Sequence, residues 1–305
     1  MKLKKPFFWE NKNFISFLLL PFALITFTFN LRKIFLKKKK FQIKTICVGN
    51  IYVGGTGKTS LSIKLYKILK KKFKIVFIKK RYLDQIDEKY LLDSHGEVIS
   101  GFKRTDSLSK AQNKNFDLAI LDDGLQEKKI NYNLSIACFN PSYSFGNGFL
   151  LPAGPLRENI SELINYDAIF INGEKKNKNL ITTIRNFNKT IFYTNYYPLN
   201  LNKFNRKKKY LFFCGIGNPH EFENTLEKFH FKINEKLIYP DHHNYKNNEI
   251  NEIKKLAKEK NLEIITTEKD FNRLSNKNKK NIKYLKIDLK IQNLNKFLKF
   301  LKKRI

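Results

Sequence analysis

Residues 45–59 read Thr45-Ile-Cys-Val-Gly-Asn-Ile-Tyr-Val-Gly-Gly-Thr-Gly-Lys58-Thr59. Ile43 to Val48 is mostly apolar and reads as a buried strand. A glycine-rich turn follows, and Lys58-Thr59 then opens a helical pattern through Leu61, Leu65, Ile68 and Leu69. Strand, glycine-rich loop and helix, in that order, make a phosphate-binding P-loop. Glycine admits the backbone conformations that turn successive N–H groups onto phosphate oxygens. A lysine at the end of such a loop reaches the β- and γ-phosphates, and the hydroxyl beside it suits Mg2+. Tyr52 stands where the usual pattern has its first glycine. The nucleotide site is therefore expected on Tyr52, Val53, Gly54, Gly55, Thr56, Gly57, Lys58 and Thr59.

Downstream, the chain alternates short apolar runs with helical patterns. Lys74 to Ile78 reads as a second strand, and Asp117 to Asp122 as a third, which runs into Asp123 and Gly124. Carboxylates at the carboxyl end of a strand sit where Mg2+ lies in P-loop folds, so Asp122 and Asp123 join Thr59 as metal candidates. An ordinary strand before an Asp-Gly turn gives the same local pattern, and its place after a P-loop unit favours the metal reading. Leu134 to Phe139 and Asp167 to Ile171 are further strands. Such βα repetition predicts an α/β fold, a P-loop NTPase-type doubly wound sheet, over residues 41–175. Residues 176–209 are polar and basic around a Phe/Tyr-rich strand at Thr190 to Thr194, and read as a linker or hairpin. Strand and helix signals resume at Tyr210, predicting a second, smaller α/β domain over 210–305, closed by a basic amphipathic helix at Leu294 to Ile305.

Residues 1–40 differ in kind. Phe14 to Phe29 is apolar except for Ser16, Thr26 and Thr28, and holds Pro21. Trp9 precedes it, and Arg32-Lys33 and Lys37-Lys38-Lys39-Lys40 follow. The stretch is short of the ~20 residues a span needs, and a proline inside a helix kinks it. We read an N-terminal membrane-anchor helix, as a short span or lying in the interface, with the lysines toward anionic headgroups. The chain carries 60 Lys and Arg against 27 Asp and Glu, a net charge of +33. A basic surface of that size attracts anionic lipid or nucleic acid, and abundant Lys and Asn also lie simply on solvated faces. Cys47, Cys138 and Cys214 are far apart in apolar runs, without metal-ligand spacing, which fits a reducing environment.

With these stretches in view, the chain resembles the tetraacyldisaccharide 4'-kinases, the lipid A 4'-kinases of Gram-negative bacteria. The resemblance rests on Val48 to Thr59, Asp122-Asp-Gly-Leu-Gln126, Gly146-Asn-Gly-Phe-Leu-Leu-Pro-Ala-Gly-Pro-Leu-Arg-Glu158, Gly215-Ile-Gly-Asn-Pro219, Tyr239-Pro-Asp-His-His243 and Thr267-Glu-Lys-Asp270. These stand in the family's order and cover most of the chain. One segment departs: Lys80-Arg81-Tyr82-Leu83 replaces the family's glycine-bearing Ser-Arg-Gly-Tyr-Gly, and Ile86-Asp87-Glu88-Lys89 stands for its Gly-Asp-Glu-Pro.

The resemblance implies transfer of the γ-phosphate of ATP, with Mg2+, to the 4'-hydroxyl of a lipid A disaccharide 1-phosphate. The expected place is the cytoplasmic face of the bacterial inner membrane, among anionic lipids and without nucleic acid as partner. It adds Glu158 to the metal set, makes Asp87 the base at the acceptor hydroxyl with His242 tuning it, and puts Arg104 at a substrate phosphate. By spacing alone His243 is nearly as eligible as His242, and Asp84 and Glu88 stand beside Asp87. A membrane-associated P-loop GTPase or ATPase is the alternative. A guanine reader needs an Asn/Thr-Lys-x-Asp motif, and Thr267-Glu268-Lys269-Asp270 has glutamate where that lysine belongs.

Overall fold

The computed structural model describes residues 6–81, 86–173, 177–187 and 189–305, without the side chains of Ile34, Ile86 and Asp87. In chain order the elements are α1 (Phe14–Leu18), α2 (Leu20–Ile34), β1 (Lys44–Gly49), α3 (Lys58–Leu69), β2 (Ile75–Lys80), α4 (Ile86–Asp93), β3 (Val98–Gly101), α5 (Arg104–Asn113), β4 (Leu118–Asp122), β5 (Leu134–Phe139), β6 (Ala168–Asn172), α6 (Lys178–Arg185) and β7 (Thr190–Pro198). They continue with β8 (Lys209–Cys214), α7 (Pro219–Lys228), β9 (Lys232–Ile238), α8 (Asn247–Glu259), β10 (Glu263–Thr267), α9 (Glu268–Arg273), α10 (Asn276–Lys279), β11 (Ile282–Leu285), β12 (Ile287–Ile291) and α11 (Leu294–Lys302). Two compact units result. The smaller holds Tyr196–Asp288 together with most of α4, and the larger holds the rest of the described chain.

The larger unit is built on an eight-stranded sheet of order β12-β7-β6-β5-β1-β4-β2-β3. Every pairing from β7 to β3 is parallel. Parallel strands are covered on both faces, and β1, β4, β5 and β6 are accordingly near-continuous apolar runs with almost every residue buried. After β1 the chain moves to one side through β2 and β3, returns to β4, and then crosses to β5. The strand order therefore reverses at β1, and the carboxyl ends flanking a reversal are where ligands bind in open α/β sheets. Register puts the chemistry there: Asp122 stands opposite both Val48 of β1 and Lys79 of β2.

The stretch read as a linker or hairpin, 176–209, carries regular elements. β7 pairs with β6 as a full strand, and α6 buries Leu180 and Ile184 in the larger core. Without β7 the apolar β6 would be an open edge. The C-terminal segment also departs from the expected 210–305 domain. β12 lies beside β7, and Phe297 of α11 packs edge-on against Phe170 and Phe192, 5.1 and 5.0 Å between centroids.

The smaller unit carries a parallel four-stranded sheet of order β11-β10-β8-β9. β8 alternates between two cores: Tyr210, Phe212 and Cys214 face one, Leu211 and Phe213 the other. A helix layer on each side of such a strand explains its unbroken apolar run.

The N-terminal region forms two helices. Asn13 and Ser16 close a capping box at the start of α1, and Pro21 falls in the first turn of α2, where its missing N–H is no loss. Pro21 therefore starts a helix and does not kink one. α2 spans roughly 22 Å at ~1.5 Å per residue, less than the ~30 Å hydrocarbon core. No helix among the described residues is long and apolar enough to cross a membrane. Ser16 and Ala23 are buried, and Leu19, Leu20 and Phe27 pack on the larger core, while Phe14, Phe22, Leu24, Ile25, Phe29 and Phe35 point outward.

Candidate active site

The P-loop opens where β1 ends. Gly54 and Gly57 have φ of +145° and +80°, conformations that side chains rarely adopt, and Gly57 caps α3. Two asparagines brace the loop from inside. Asn50 Nδ2 donates to Thr56 Oγ1 at 3.0 Å, and Asn172, at the end of β6, donates to the Thr56 carbonyl. Thr194 of β7 in turn donates to Asn172 Oδ1.

Tyr52, expected on the nucleotide site, has its ring turned into the protein. It is 1% exposed, and its ring stacks on Tyr143 at 5.9 Å. The backbone around it pairs with the segment ending the Gly146–Glu158 run: Val53 N–H donates to Pro155 O at 2.9 Å and Arg157 N–H to Ile51 O at 2.7 Å. The Tyr52 ring packs the loop onto Tyr143, just before that run.

Asp122 is 1% exposed and lies at the centre of a polar cluster. It accepts from Thr59 Oγ1 and Ser62 Oγ, both at 3.2 Å, and from Lys79 Nζ at 2.8 Å. Asp123 takes a left-handed backbone (φ +58°) and turns its carboxylate the other way. Both of its oxygens accept from Arg157 Nη1 at 2.9 Å, and Lys58 Nζ stands 3.8 Å from Oδ1. Burial pushes the Asp123 carboxyl up, but Lys58 and Arg157 override it and hold it well below the usual carboxylate range. A cleft of about 260 Å³ opens beside Asp123 and is lined by Lys33, Lys80, Arg104, Lys128 and Arg157 among others. Such a concentration of cations favours an anionic occupant.

Two of the expected ligands are engaged within the protein. Arg104 is 6% exposed, and its Nη2 donates to the Asp123 carbonyl at 2.5 Å, so it holds the left-handed turn from behind. Glu158 is fully buried, and its carboxylate is already engaged by Lys128 Nζ at 2.8 Å, Gln126 Nε2 at 2.9 Å and Tyr166 Oη at 2.6 Å. Gln126 Nε2 also donates to Asn50 O at 2.9 Å, which ties this cluster to the P-loop entry. In this arrangement the Glu158 carboxylate braces Lys128, Gln126 and Tyr166.

Lys79, Asn172 and Ser62 lie outside the quoted motifs and sequence reasoning missed them, while Asn50 stood inside the Val48–Thr59 stretch without an assigned role. Lys79 had one legible signal, a charge ending an otherwise apolar buried strand. Asn172 had none, because its partners Thr56 and Thr194 are far away along the chain. Arg157 stood inside the quoted Gly146–Glu158 run without an assigned role. A further link is equally non-local: Asn30 Nδ2 of α2 donates to the Arg157 carbonyl at 2.8 Å, fastening the outward-apolar helix to the residue that pairs with Asp123.

In the smaller unit, His242 lies in the loop Pro240 to Tyr245 with a φ of +58°. Its N–H donates to Gly215 O at 3.1 Å, and its Nε2 stands 3.8 Å from Asp241 Oδ2. His243 is committed elsewhere: Nε2 lies 3.0 Å from Glu249 Oε1, and its ring stacks on Tyr239 at 4.7 Å. That separates two histidines the sequence left equivalent. The Asp87 side chain and all of Asp84 lie outside the described residues. The first part of α4, which carries residue 87, belongs to the same compact unit as His242, and Glu88 there stands 3.7 Å from Lys269 Nζ. Among the described residues, no three His, Cys, Asp or Glu side chains cluster closely enough to hold a metal by themselves.

Comparison with known proteins gives a consistent result. A family profile described as tetraacyldisaccharide-1-P 4'-kinase matches residues 15–305. The tetraacyldisaccharide 4'-kinase of Pelagibacter ubique is 47% identical over 298 residues, covering 95% of each chain. That of Rickettsia akari is 35% identical over 317 residues, covering 96% of this chain and 95% of its own. In fold, the chain is similar to the crystal structure of LpxK from Aquifex aeolicus in complex with ATP, with a TM-score of 0.72 at 24% identity, over 95% of this chain and 99% of that one.

Proposed function

We propose a reaction scheme from one premise: the chain belongs to the tetraacyldisaccharide-1-P 4'-kinase family. It is a kinase of lipid A biosynthesis, which phosphorylates the 4'-hydroxyl of a tetraacyldisaccharide 1-phosphate. The donor in our scheme is ATP, which the Aquifex aeolicus structure is described as holding. Phosphoryl transfer asks a protein for positioned phosphates, charge neutralisation and a base near the nucleophile. The observation that carries the scheme is the convergence of Lys58, Thr59, Asp122, Asp123 and Arg157 where the strand order reverses.

The P-loop amides and the Lys58 ammonium hold the β- and γ-phosphates, and Arg157 lies within the same cation set. The donor atoms fit Mg2+, since Thr59 hydroxyl and Asp122 carboxylate are hard oxygens 3.2 Å apart. Bound there, Mg2+ supplies neutralisation of phosphate charge. Asp123 is the second carboxylate available to it. Asp87 accepts the proton of the acceptor hydroxyl, and His242 sets the orientation and pKa of that carboxylate.

The outward apolar face of α1 and α2 lies in the interface of the inner membrane on its cytoplasmic side, and Lys37 to Lys40 meet anionic headgroups. The tie from Asn30 to Arg157 supports this reading, because it joins the apolar helix to the nucleotide side of the protein.

The test is transfer of phosphate from Mg-ATP to a tetraacyldisaccharide 1-phosphate by the purified full chain, with Asp87→Ala and His242→Ala beside it. Each variant should lose kcat by orders of magnitude with ATP affinity unchanged, and the double variant should be barely slower than the poorer single one. Multiplying losses would separate the two residues, and a full-rate Asp87→Ala enzyme would move the base to Asp84 or Glu88. For the membrane reading, full-length protein mixed with anionic vesicles should float with them. Glutamate at positions 22, 24 and 29 together should abolish flotation, and free protein at low salt would overturn the assignment.

A further inference from the structure

We infer that Asp270 and Arg273 are positioning residues for the His242 loop, through the peptide group of Gly215. The inference rests on the role given to His242 above.

Asp270 is fully buried, and the Arg273 side chain is 6% exposed. The two grip Gly215 from both ends. Its N–H donates to Asp270 Oδ1 at 3.0 Å, and its carbonyl accepts from Arg273 Nη1 at 2.6 Å. The pair itself closes at 2.9 Å between Arg273 Nη1 and Asp270 Oδ1. That same Gly215 carbonyl accepts the N–H of His242 at 3.1 Å. A second line runs through Tyr245, at the far end of the loop, whose hydroxyl donates to Asp270 Oδ1 at 2.9 Å. Thr267 Oγ1 donates to Asp270 Oδ2 at 2.6 Å and accepts the Asp270 N–H at 3.1 Å, so the N-cap of α9 fixes the carboxylate.

The loop needs such a hold. His242 sits in a left-handed conformation that non-glycine residues avoid unless their surroundings enforce it. The approach is also close: a Cβ at position 215 would stand 3.0 Å from both His243 Cβ and the Pro240 carbonyl oxygen. Rings complete the hold, with Tyr245 edge-on to His243 at 4.9 Å, to Tyr239 at 5.2 Å and to Phe213 at 5.2 Å.

Buried ion pairs contribute little net stability, because desolvation offsets the attraction. Here the atoms of the pair engage Tyr245 at one end of the loop and Gly215 at the strand end it rests on, whose carbonyl also takes the His242 N–H. That arrangement determines where the His242 backbone lies. The Thr267-Glu-Lys-Asp270 stretch, which is absent from the phosphate-binding set, acquires a role by this route.

The experiment uses the full-length protein with Mg-ATP and a tetraacyldisaccharide 1-phosphate. Tyr245→Phe removes one hydroxyl and keeps the ring packing; Asp270→Asn removes the charge. Each is made alone and in a His242→Ala background, with kcat, KM for ATP and the melting temperature measured. Small displacements of a positioned group are costly, so Tyr245→Phe should lower kcat about tenfold with KM for ATP unchanged. Because the effect acts through His242, it should vanish in the His242→Ala background. A folded Tyr245→Phe enzyme at full kcat overturns the inference, as does a loss that multiplies with that of His242→Ala. Full activity of His242→Ala overturns the catalytic reading of that residue, and this inference with it.

Discussion

Asp123 and Asp270 are both aspartates paired with an arginine, one in each compact unit, and they behave in opposite ways. Asp123 keeps 15% of its side chain exposed and faces two cations, Arg157 and Lys58, on the edge of a cationic cleft. Its carboxyl is held well below the usual range. Asp270 is sealed, faces one guanidinium, and otherwise accepts from neutral donors: a backbone N–H and two hydroxyls. Burial therefore outweighs Arg273, Thr267, Tyr245 and Gly215, and its carboxyl is pushed up. An ion pair open to a cleft is one that a ligand can rearrange. A sealed pair has nothing to exchange with and serves as architecture.

The largest effect that tests this contrast is on folding. Asp270→Ala leaves the buried Arg273 without its carboxylate and should cost about 3–5 kcal/mol in urea unfolding. A stable Asp270→Ala protein with impaired ATP binding would erase the contrast.

Next is Lys58→Ala, which should lower kcat/KM for ATP by about 10²–10³-fold, the loss typical of one positioned cation or donor at developing charge. Its unfolding midpoint should stay close to that of the parent. Asp123→Asn should follow, with kcat reduced about tenfold or more through loss of a transition-state contact, while Asp122→Asn is worse because Thr59, Ser62 and Lys79 all converge on that carboxylate. Equal losses in the two variants would show that the contacts of Thr59, Ser62 and Lys79 add nothing to the part Asp122 plays in turnover.

The smallest effect is the pH dependence of stability, and its sign differs between the two residues. The folded-state pKa of Asp123 is depressed, so its contribution is complete above the ordinary carboxylate range. It is lost as pH falls through that range toward the folded value. The folded-state pKa of Asp270 is raised, so the native state binds its proton first, and this residue's contribution improves as pH falls through the folded value. Urea midpoints followed from neutral to acid pH should therefore fall less steeply in Asp123→Asn than in the parent. They should fall more steeply in Asp270→Asn. The same sign in both variants would break the comparison.

Residues 45–59 and 117–124 carried the parallel sheet, the phosphate loop and the two strand-end carboxylates in their order alone. Strand, glycine turn and helix are local patterns, and a buried parallel strand leaves an unbroken apolar run that can be read without a partner. The smaller α/β unit was legible for the same reason. Position in the sheet was not. Residues 176–209 read as a linker or hairpin because they are polar and basic around the Thr190–Thr194 strand, and the tail after Ile287 looked like part of the second domain because it follows it in sequence.

What the sequence by itself determined was therefore the set of chemical groups and the elements that bear them: a P-loop lysine, two adjacent aspartates, a histidine pair and an apolar N-terminus. Tertiary structure decided how those groups divide the work. Glu158 became a brace because Lys128, Gln126 and Tyr166 converge on it. Arg104 became a prop for a left-handed turn, and Lys79 entered the site because β2 lies in register with β4. His243 was drawn to Glu249 while His242 was held by Gly215. In each case the deciding partner is distant in sequence or turned by a backbone angle. The energy of a polar group depends on what desolvates and pairs with it, which a one-dimensional pattern does not specify.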